Sequence, residues 1–422
     1  MNDSPDYPDF FDELETRDPE VRDEAQFNAL AEQLANAKAN APAFAESLAD
    51  VDPTSVHGRA ALAKLPIVRK SELIERQKRQ VEERDPFGGL TAIKTGRLAR
   101  IFASPGPIYD PEAMRPDYWR LARALYAAGL RRGNIVHNSF SYHLTPAGSM
   151  LESGAHALGC PVISAGVGNT ELQVRTIADV KPKYYVGTPS FLKILLEKAR
   201  ELGVDIKCLE RALVSGEALP ASLRDEIKQQ GVEVRQCYAT ADLGLIAYES
   251  LGGDGLIVDE WLIVEIVRPG TGDPVADGEV GEVVVTTLNP DYPLIRFATG
   301  DLSAVMAGTS PCGRTNIRLK GWMGRADQTT KVRGMFVHPG QVGEIARRHK
   351  DIRRYRLVVS RVKDNDAMTF KCELEGAGSE ALAGKIGDSM QAITKMRGDV
   401  EFVKPGTLPN DGKVIEDTRP VS

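Results

Sequence analysis

The chain has 422 residues, of which 42% are hydrophobic and 27% charged, and its formal net charge is −6. This length exceeds that of one typical domain and predicts two or three. The composition is ordinary for a soluble globular protein, and the acidic balance disfavours a dedicated nucleic-acid binder. No apolar run approaches the ~18 residues of a membrane span, so we expect neither nucleic acid nor a membrane as a partner.

Cysteine usage predicts the compartment. The five cysteines are scattered, odd in number and form no CxxC pair, which disfavours both a disulfide framework and a zinc knuckle. This pattern favours a reducing, cytoplasmic location. The acidic N-terminus lacks the apolar segment of a secretory signal. The segment from Arg314 to Lys363 is rich in Arg and Lys, which suits either the phosphates of a nucleotide or coenzyme, or an ordinary solvated surface.

The first 240 residues predict helices followed by an alternation of helices and strands. Helical apolar spacing occurs in Ala25–Ala39 and Lys70–Glu83. From about residue 115 the alternation is typical of a mainly parallel sheet flanked by helices. The predicted helices are Tyr118–Ala128, Ala147–Leu158, Thr170–Val180, Pro189–Leu202 and Pro220–Gln230. The predicted strands are Ile135–Ser139, Pro161–Ser164, Lys183–Val186, Ala212–Val214 and Val232–Tyr238.

The pattern changes after residue 256. Trp261–Val267 and Val280–Thr287 are separated by Pro/Gly turns, which predicts antiparallel hairpins in a small β subdomain. Beyond Gly324 a compact α+β tail follows, so we expect an N-terminal domain of residues 1–326 and a C-terminal domain of residues 327–422. The tail elements are strand Lys331–Val337, helix Pro339–His349, strands Arg354–Ser360 and Thr369–Leu374, helix Glu380–Thr394 and strand Val400–Val403.

Two motifs follow predicted strands directly, at the sheet edge where α/β proteins bind ligands. They are Ser215-Gly216-Glu217 and Tyr238 to Asp242. Glu217 either lines a ligand pocket or is a carboxylate at a helix start. Tyr238 either stacks on a flat ring or is a core aromatic residue. Asp242 either holds Mg²⁺ through oxygen or caps a helix.

Three later residues are candidates for nucleotide binding or catalysis. Asp301 can accept two hydrogen bonds from ribose hydroxyls, or it is a turn residue. Arg325 can bind ribose or phosphate oxygens through its planar fork, or it forms a surface ion pair. Lys413 ends a Pro/Gly loop, where a solvated turn residue is the plain alternative to a mobile cation. This loop is no Walker-type phosphate loop, because Val414 stands where Ser or Thr would bind Mg²⁺.

Taken in order, these motifs resemble those of the adenylate-forming ligase superfamily. The segments Val186–Ser190, Pro293–Asp301, Cys312–Thr315 and Gly324–Asp327 are similar to its phenylacetate–CoA ligase-like branch, over nearly the whole chain. The resemblance implies an α/β fold: a large N-terminal domain with mainly parallel sheets flanked by helices plus a small β subdomain, and a small, mobile α+β C-terminal domain.

The resemblance also implies the activity. Such an AMP-forming enzyme first activates an aromatic, phenylacetate-like carboxylic acid with ATP to give an acyl-adenylate. It then transfers the acyl group to coenzyme A. The implied cofactors are ATP/AMP, Mg²⁺ and coenzyme A, and a homodimer is one implied oligomeric state. Lys413 would meet the charge between carboxylate and α-phosphate, Asp242 would hold Mg²⁺, and Asp327 would be the hinge. The implied nucleotide-binding residues are Ser104, Gly106, Ser215, Gly216, Glu217, Tyr238, Ala239, Thr240, Asp301 and Arg325.

The sequence departs from the family at the phosphate loop, which aligns with Ala103–Pro111. Ser104 and Gly106 are retained, whereas the paired threonines, the second Gly and the Lys are absent. Prolines there remove backbone donors, and Asp110 adds negative charge where positive charge would help. We therefore expect other groups to hold the β- and γ-phosphates, or ATP to bind poorly.

Two further departures affect metal binding. After Tyr238, Ala239 replaces the usual Gly, Ala241 takes the hydroxyl position, and Asp242 stands for Glu, so that Thr240 would supply a displaced hydroxyl. The metal-binding Cys/His cluster of many relatives is reduced to one soft ligand, and one such ligand cannot make a structural zinc site. We therefore expect no structural zinc. The aligned positions are Ser250, Ile257, Ser310 and Cys312.

The acid-binding segment of the family aligns with Asn138–His143. Phe140 and Tyr142 would clamp a flat ring, and His143 would orient the carboxylate or the thiol. Alternatively, the two aromatic residues belong to the core and the histidine to a loop. Two apolar residues, Ala239 and Ile246, would complete the pocket. Two other functions stay open: an adenylating enzyme with a non-CoA acceptor, and a nucleotide-binding paralogue that has lost catalysis.

Overall fold

The computed structural model describes residues 10–80, 85–104, 108–250, 255–332, 335–362, 365–409 and 413–419. Contacts along the chain divide it into two compact units. The large unit consists of Met1–Val267, Gly272–Thr299 and Ala304–Gly321, and the small unit of Arg268–Thr271, Gly300–Ser303 and Trp322–Ser422. The domain boundary after residue 326 stays a prediction.

Eleven α-helices and twenty-one strands lie in the described part of the chain. The helices are α1 Pro19–Asn40, α2 Pro42–Ser47, α3 Arg59–Leu62, α4 Lys70–Gln80, α5 Leu121–Ala127, α6 Ala147–Ala157, α7 Thr170–Val180, α8 Pro189–Leu202, α9 Ala221–Gln229, α10 Pro339–Arg347 and α11 Glu380–Thr394. The strands are β1 Val68–Arg69, β2 Leu98–Ser104, β3 Ile108–Ala113, β4 Val136–Asn138, β5 Val162–Ser164, β6 Tyr184–Gly187, β7 Arg211–Val214, β8 Glu233–Thr240, β9 Gly244–Tyr248, β10 Leu256–Val258, β11 Leu262–Val267, β12 Gly281–Thr287, β13 Phe297–Ser303, β14 Val305–Met306, β15 Arg318–Leu319, β16 Thr330–Val332, β17 Met335–Val337, β18 Ile352–Val362, β19 Asn365–Leu374, β20 Asp399–Val403 and β21 Ile415–Asp417.

The large unit is built on a nine-stranded sheet of order β14-β15-β10-β9-β8-β7-β6-β4-β5. The five strands β5, β4, β6, β7 and β8 run parallel, and the strands beyond β8 pair antiparallel. The alternation of helices and strands between residues 115 and 240 is therefore confirmed. Parallel strands leave their carboxyl ends on one edge of the sheet, and loops from that edge carry the candidate site.

Helix α8 shows how local sequence sets these elements. The hydroxyl of Thr188 accepts a hydrogen bond from Phe191 N at the N-terminus, Pro189 occupies the first turn, and Gly203 ends the helix with φ +66°. Leu192, Leu195, Leu196 and Ala199 are buried at helical spacing against β6 and β7. The observed bounds equal the predicted ones.

A second sheet of the large unit has the order β1-β13-β12-β11. Strands β11 and β12 pair antiparallel, Leu262 opposite Thr287, which confirms the predicted hairpin. Strand β1, absent from our expectations, pairs parallel with β13, with Val68 opposite Phe297. Because α4 begins directly after β1, this pairing determines where Lys70 lies.

The small unit contains a four-stranded sheet of order β20-β19-β18-β21 with helices α10 and α11 against it. The predicted α+β composition of this region is confirmed. One prediction is wrong: Lys331–Val337 is not a single strand, because β16 and β17 fold back on each other with Thr330 opposite Val337. Together, the two units confirm the α/β fold class. None of the helices in the described ranges is long and apolar enough to cross a membrane.

Candidate active site

The loops after β4 and β7 meet at the carboxyl edge of the parallel strands. Ser215 follows β7, and its hydroxyl donates a hydrogen bond to Cys237 O on β8 at 2.8 Å. Gly216 has φ +80°, and a Cβ there would lie 3.8 Å from Phe140 Cε1. The aromatic ring thus lies beside the glycine backbone, while Glu217 is exposed. Of these three predicted ligand residues, Gly216 therefore lies next to Phe140.

The motif Tyr238 to Asp242 spans the end of β8, up to Thr240, and the first two residues of the turn to β9. Thr240 Oγ1 accepts a hydrogen bond from Leu243 N at 3.2 Å, which closes the turn. Tyr238 donates its hydroxyl hydrogen to Thr299 Oγ1 at 3.2 Å, and Ala239 and Thr240 are half-buried. The alternative in which Asp242 caps a helix is wrong, because antiparallel β8–β9 pairing continues the chain as a strand.

The Asp242 side chain is fully buried and forms an ion pair with Lys70, whose Nζ lies 2.5 Å from Asp242 Oδ2. The Lys70 side chain is 29% exposed. Among the described residues, Asp242 Oδ1 has no hydrogen-bond partner. Mg²⁺ in phosphate-transfer sites is commonly held by one or two carboxylates plus substrate phosphates. One oxygen of Asp242 therefore fits as a single protein ligand of Mg²⁺.

The segment aligned with the phosphate loop is an antiparallel hairpin of β2 and β3. The buried Ser104 hydroxyl donates to Asp110 Oδ2 at 2.9 Å and to Ile108 O at 3.2 Å. Burial raises the pKa of the Asp110 carboxyl well above its ordinary value, and the nearby Asp242 carboxylate raises it further. The Ser104 hydroxyl is thus engaged inside the hairpin. Gly106 lies outside the described residues.

The aromatic side chains of the acid-binding segment are held in place. Phe140 is buried in the core of the large unit. Tyr142 donates its hydroxyl hydrogen to Glu152 Oε2 at 2.7 Å and accepts a hydrogen bond from Asn138 Nδ2 at 2.8 Å. A Cβ at Gly148 would lie 2.9 Å from the Tyr142 ring, so helix α6 leaves no room for a larger residue there. The Tyr142 ring is therefore fixed against α6.

Three other predicted pocket residues differ in exposure. His143 is exposed, and the next carbonyl, Leu144 O, accepts a hydrogen bond from Ala103 N on β2 at 2.9 Å. This bond connects the acid-binding loop to the hairpin that carries Ser104. Ala239 is half-buried, whereas Ile246 lies in the core with no exposed surface. The contribution of Ile246 to an acid pocket stays a prediction.

In the small unit, Asp301 and Arg325 are in direct contact. Arg325 Nη1 lies 3.1 Å from Asp301 Oδ1, and the two residues also form a backbone β-bridge. The exposed Trp322 donates from Nε1 to the same carboxylate oxygen at 3.1 Å. Gly300 has φ +76°, and a Cβ there would lie 2.5 Å from Arg325 Nη2. The glycine leaves space for the guanidinium, which orients the carboxylate.

Lys413 is exposed in the small unit, and its loop is connected to the turn that carries the predicted hinge. Val414 N donates a hydrogen bond to Gln328 Oε1 at 2.7 Å. Gln328 is the last residue of the short 3₁₀ helix Ala326–Gln328, which includes Asp327. The residue that follows Lys413 is therefore hydrogen-bonded to that turn.

Three of the four positions aligned with the family's metal cluster, Ser250, Ser310 and Cys312, lie close together. Ser310 Oγ and Cys312 Sγ lie 3.1 Å apart. Burial favours the neutral thiol, but hydrogen bonds from Ser250, Ser310 and Arg314 outweigh it and lower the pKa of Cys312 below its ordinary value. Arg314 Nη2 also pairs with the buried Glu15 at 2.9 Å. Within the described ranges, no group of three or more His, Cys, Asp or Glu side chains is arranged to hold a metal ion.

Comparison with known proteins identifies the family. The model of the AMP-binding enzymes matches residues 142–289, and the model of the AMP-binding enzyme C-terminal domain matches residues 334–418. The phenylacetate-coenzyme A ligase of Thermus thermophilus is 31% identical over 373 residues, which cover 83% of this chain and 81% of that protein. This chain belongs to the phenylacetate–CoA ligase family of AMP-binding enzymes.

Other members of the phenylacetate–CoA ligase family match over more of the chain. The Escherichia coli enzyme is 29% identical over 430 residues, covering 95% of both chains. The fold is also that of an open conformation of 2-hydroxyisobutyryl-CoA ligase in complex with 2-HIB-AMP and CoA. That structure superposes with a TM-score of 0.85 at 22% identity and covers 98% of this chain and 95% of its own.

Three residues at these sites were missed from the sequence: Lys70, Trp322 and Glu15. Lys70 lies 172 positions from Asp242, so no local pattern connects the two. Trp322 stands three residues before Arg325, and a Trp beside a candidate ribose-binding motif was the available signal. Glu15 lies in an acidic segment that looks uniformly solvated.

Proposed function

We propose that this protein is an AMP-forming ligase that activates an aromatic, phenylacetate-like acid with ATP and transfers the acyl group to coenzyme A. The observation that carries the proposal is the match to phenylacetate-coenzyme A ligases over most of the chain. The paired Asp301 and Arg325 and the exposed Lys413 supply the chemistry that such a reaction requires.

In the first half-reaction, a carboxylate oxygen of the acid bonds to the α-phosphorus of ATP, and the bond to the pyrophosphate oxygen breaks. Asp301 accepts hydrogen bonds from the ribose hydroxyls, and Arg325 binds ribose or phosphate oxygens. Lys413 places its ammonium at the negative charge that develops between carboxylate and α-phosphate. Delivery by rotation of residues 327–422 about Asp327 is part of this proposal.

In the second half-reaction, the thiol sulfur of coenzyme A bonds to the acyl carbon, AMP leaves, and the thiol proton is released. His143, exposed after β4, is our candidate for orienting the carboxylate or the thiol. Mg²⁺ would neutralise phosphate charge, with Asp242 as its protein ligand. The remaining nucleotide contacts are assigned to Ser104, Gly106, Ser215, Gly216, Glu217, Tyr238, Ala239 and Thr240.

The aromatic substrate class is supported by Phe140, whose ring lies beside the Gly216 backbone at the sheet edge. A flat ring packs well in a slot with an aromatic wall. Selectivity among sizes in such a slot is only about 1–3 kcal/mol per methylene. We therefore propose an aryl acid, without choosing among phenylacetate, indoleacetate, benzoate-type and arylpropionate substrates. The scattered cysteines favour a cytoplasmic location. We also propose that the protein forms a homodimer.

The experiment that tests this function measures pyrophosphate release and thioester formation with ATP, Mg²⁺ and a panel of aromatic and aliphatic acids. We expect acid-dependent pyrophosphate release, with thioester appearing when coenzyme A is added. Release without any thioester would point to a non-CoA acceptor. ATP binding without acid-dependent release would identify a nucleotide-binding paralogue and overturn the proposal.

A further inference from the structure

The segment aligned with the phosphate loop supplies no cation for the phosphates. Between Ser104 and Pro111 there is neither Lys nor Arg, and Asp110 adds an acidic group. The polyphosphate of ATP carries several negative charges, and proteins hold it with Lys, Arg, metal ions and backbone N–H groups. Under the proposed function, a cation from another part of the large unit is therefore a candidate to take this place beside Mg²⁺ and backbone N–H groups.

The structure brings one such cation to Asp242. Strand β1 pairs parallel with β13, with Val68 opposite Phe297 and Arg69 opposite Ala298. Lys70 follows Arg69 as the first residue of α4, and Ala298 is followed by Thr299, whose hydroxyl accepts the hydrogen bond from Tyr238. The sheet therefore places Lys70 next to the β8–β9 turn that carries the nucleotide motif.

The ion pair has a buried side and an exposed side. The Asp242 side chain has no exposed surface, whereas the Lys70 side chain is 29% exposed and its Nζ lies 2.5 Å from Asp242 Oδ2. Of the two side chains, only that of Lys70 thus has surface that solvent or a ligand can reach. A lysine ammonium has three N–H donors and can bind a carboxylate and a phosphate oxygen at the same time.

We propose that Lys70 is a phosphate-binding residue of this enzyme, in which its ammonium, held beside Asp242, replaces the missing lysine of the phosphate loop. This inference rests on the proposed function and adds a residue to its nucleotide site. The competing role for Lys70 is structural, because burial of a carboxylate requires a partner whether or not ATP ever binds. The two roles differ in what happens when the Asp242 charge is removed.

The decisive measurement is calorimetric titration of the full-length protein with ATP in EDTA, so that no metal contributes. The variants are Lys70→Met, Asp242→Asn and the double variant. We expect Lys70→Met to weaken ATP binding about 10-fold or more both in the wild-type background and in the Asp242→Asn background, because a charge-assisted phosphate contact is lost in each. Lys70→Arg retains most of the affinity.

Lys78→Met is the matched control, because Lys78 lies on the same helix in an exposed pair with Glu75 at 3.0 Å. It leaves the affinity unchanged. Lys70→Met leaves a buried carboxylate without its partner, so that the single variant is liable to unfold. The double variant removes both charges, and a thermal unfolding midpoint near that of Asp242→Asn shows that it is folded. The ATP affinities of the double variant and of Asp242→Asn then suffice to decide whether Lys70 binds phosphate.

Equal ATP affinity with and without Lys70 in the Asp242→Asn background overturns the inference, since Lys70 then only balances the carboxylate. Acid-dependent pyrophosphate release, measured in parallel with Mg²⁺, tests the ligase function separately. If the wild-type protein releases pyrophosphate but substitution of Lys70 does not change the affinity for ATP, only the role of Lys70 is refuted. A protein that binds ATP through Lys70 and never releases pyrophosphate refutes the ligase function alone.

Discussion

Arg325 and Asp301 contact each other, with Arg325 Nη1 3.1 Å from Asp301 Oδ1. The pair lies at a backbone β-bridge, and Leu302 N also donates to Gly324 O at 2.8 Å. Backbone and side chains thus orient the Asp301 carboxylate before any nucleotide binds. Preorganised acceptors of this kind bind ribose hydroxyls without a further ordering cost.

Removal of the Asp301 carboxylate is expected to weaken nucleotide binding. Asp301→Ala removes a charge-assisted acceptor of ribose hydroxyls, so the dissociation constant of AMP should rise about 10- to 100-fold. Calorimetric titration with AMP measures this. The control is Asp351→Asn, an exposed carboxylate of the same unit, which should bind AMP as the wild type does. Equal affinities for all three proteins would remove Asp301 from the nucleotide site.

Lys413 is expected to act in adenylation only. Lys413→Ala should slow acid-dependent pyrophosphate release about 100-fold or more, because a cation is lost where transition-state charge develops. Thioester formation from added acyl-adenylate and coenzyme A should stay within a few-fold of wild type. Lys404→Ala, an exposed lysine of the same unit, is the control for lost surface charge. Unimpaired release by Lys413→Ala contradicts the assignment.

A buried charge cluster at Glu15 is expected to stabilise the large unit. Glu15 is 1% exposed and lies 2.9 Å from Arg314 and 3.3 Å from Arg123, and it accepts the hydroxyl hydrogen of Tyr248 at 2.7 Å. Glu15→Ala removes the carboxylate that pairs with the buried Arg314, while Arg123 keeps Asp12 and Asp259. Breaking a buried ion pair from one side typically costs about 3–5 kcal/mol. Urea unfolding measures the loss.

The matched control is Glu13→Ala, an exposed glutamate two positions away, for which a change within about 0.5 kcal/mol is expected. Similar small effects for both variants would show that the cluster contributes little net stability. Because the chain has two compact units, the transition of the large unit is the relevant one.

Asp117 is expected to make stability depend on pH. Burial raises the pKa of Asp117 to about 7. The hydrogen bond from the backbone N–H of Ala122 and the positive charge of Arg120 lower this pKa, but burial outweighs them. Between about pH 4 and 7 the folded protein therefore holds a proton that the unfolded chain has lost, so stability falls as the pH rises through this range. The Asp117→Asn side chain cannot titrate, so this variant does not lose stability in this way as the pH rises.

The stability of Asp117→Asn relative to wild type should therefore increase by about 1–3 kcal/mol between pH 5 and pH 8. Unfolding in urea at both pH values measures the change. Asp179→Asn, which alters an exposed carboxylate of the same unit, should show no such difference. A constant offset between Asp117→Asn and wild type at the two pH values would contradict the prediction.

Elements with strong local signals were predicted closely. Helices α7, α8 and α11 have the predicted bounds, because apolar periodicity and capping residues lie within each segment. The hairpin of β2 and β3 was not predicted, because β3 contains Asp110, Pro111 and Glu112, residue types that are depleted in strands. Lys331–Val337 was predicted as one strand although it contains Gly334, a residue that often interrupts strands.

The sequence by itself determined the order of helices and strands and the motifs that resemble the ligase family, including Asp301, Arg325 and Lys413. These depend on residues close together in the chain, where periodicity, caps and turn chemistry act. Tertiary structure alone decided the partners of buried charges, such as Lys70 for Asp242 and Arg314 for Glu15. A buried charge must find a partner wherever the fold provides one, and for Asp242 that partner is 172 positions away.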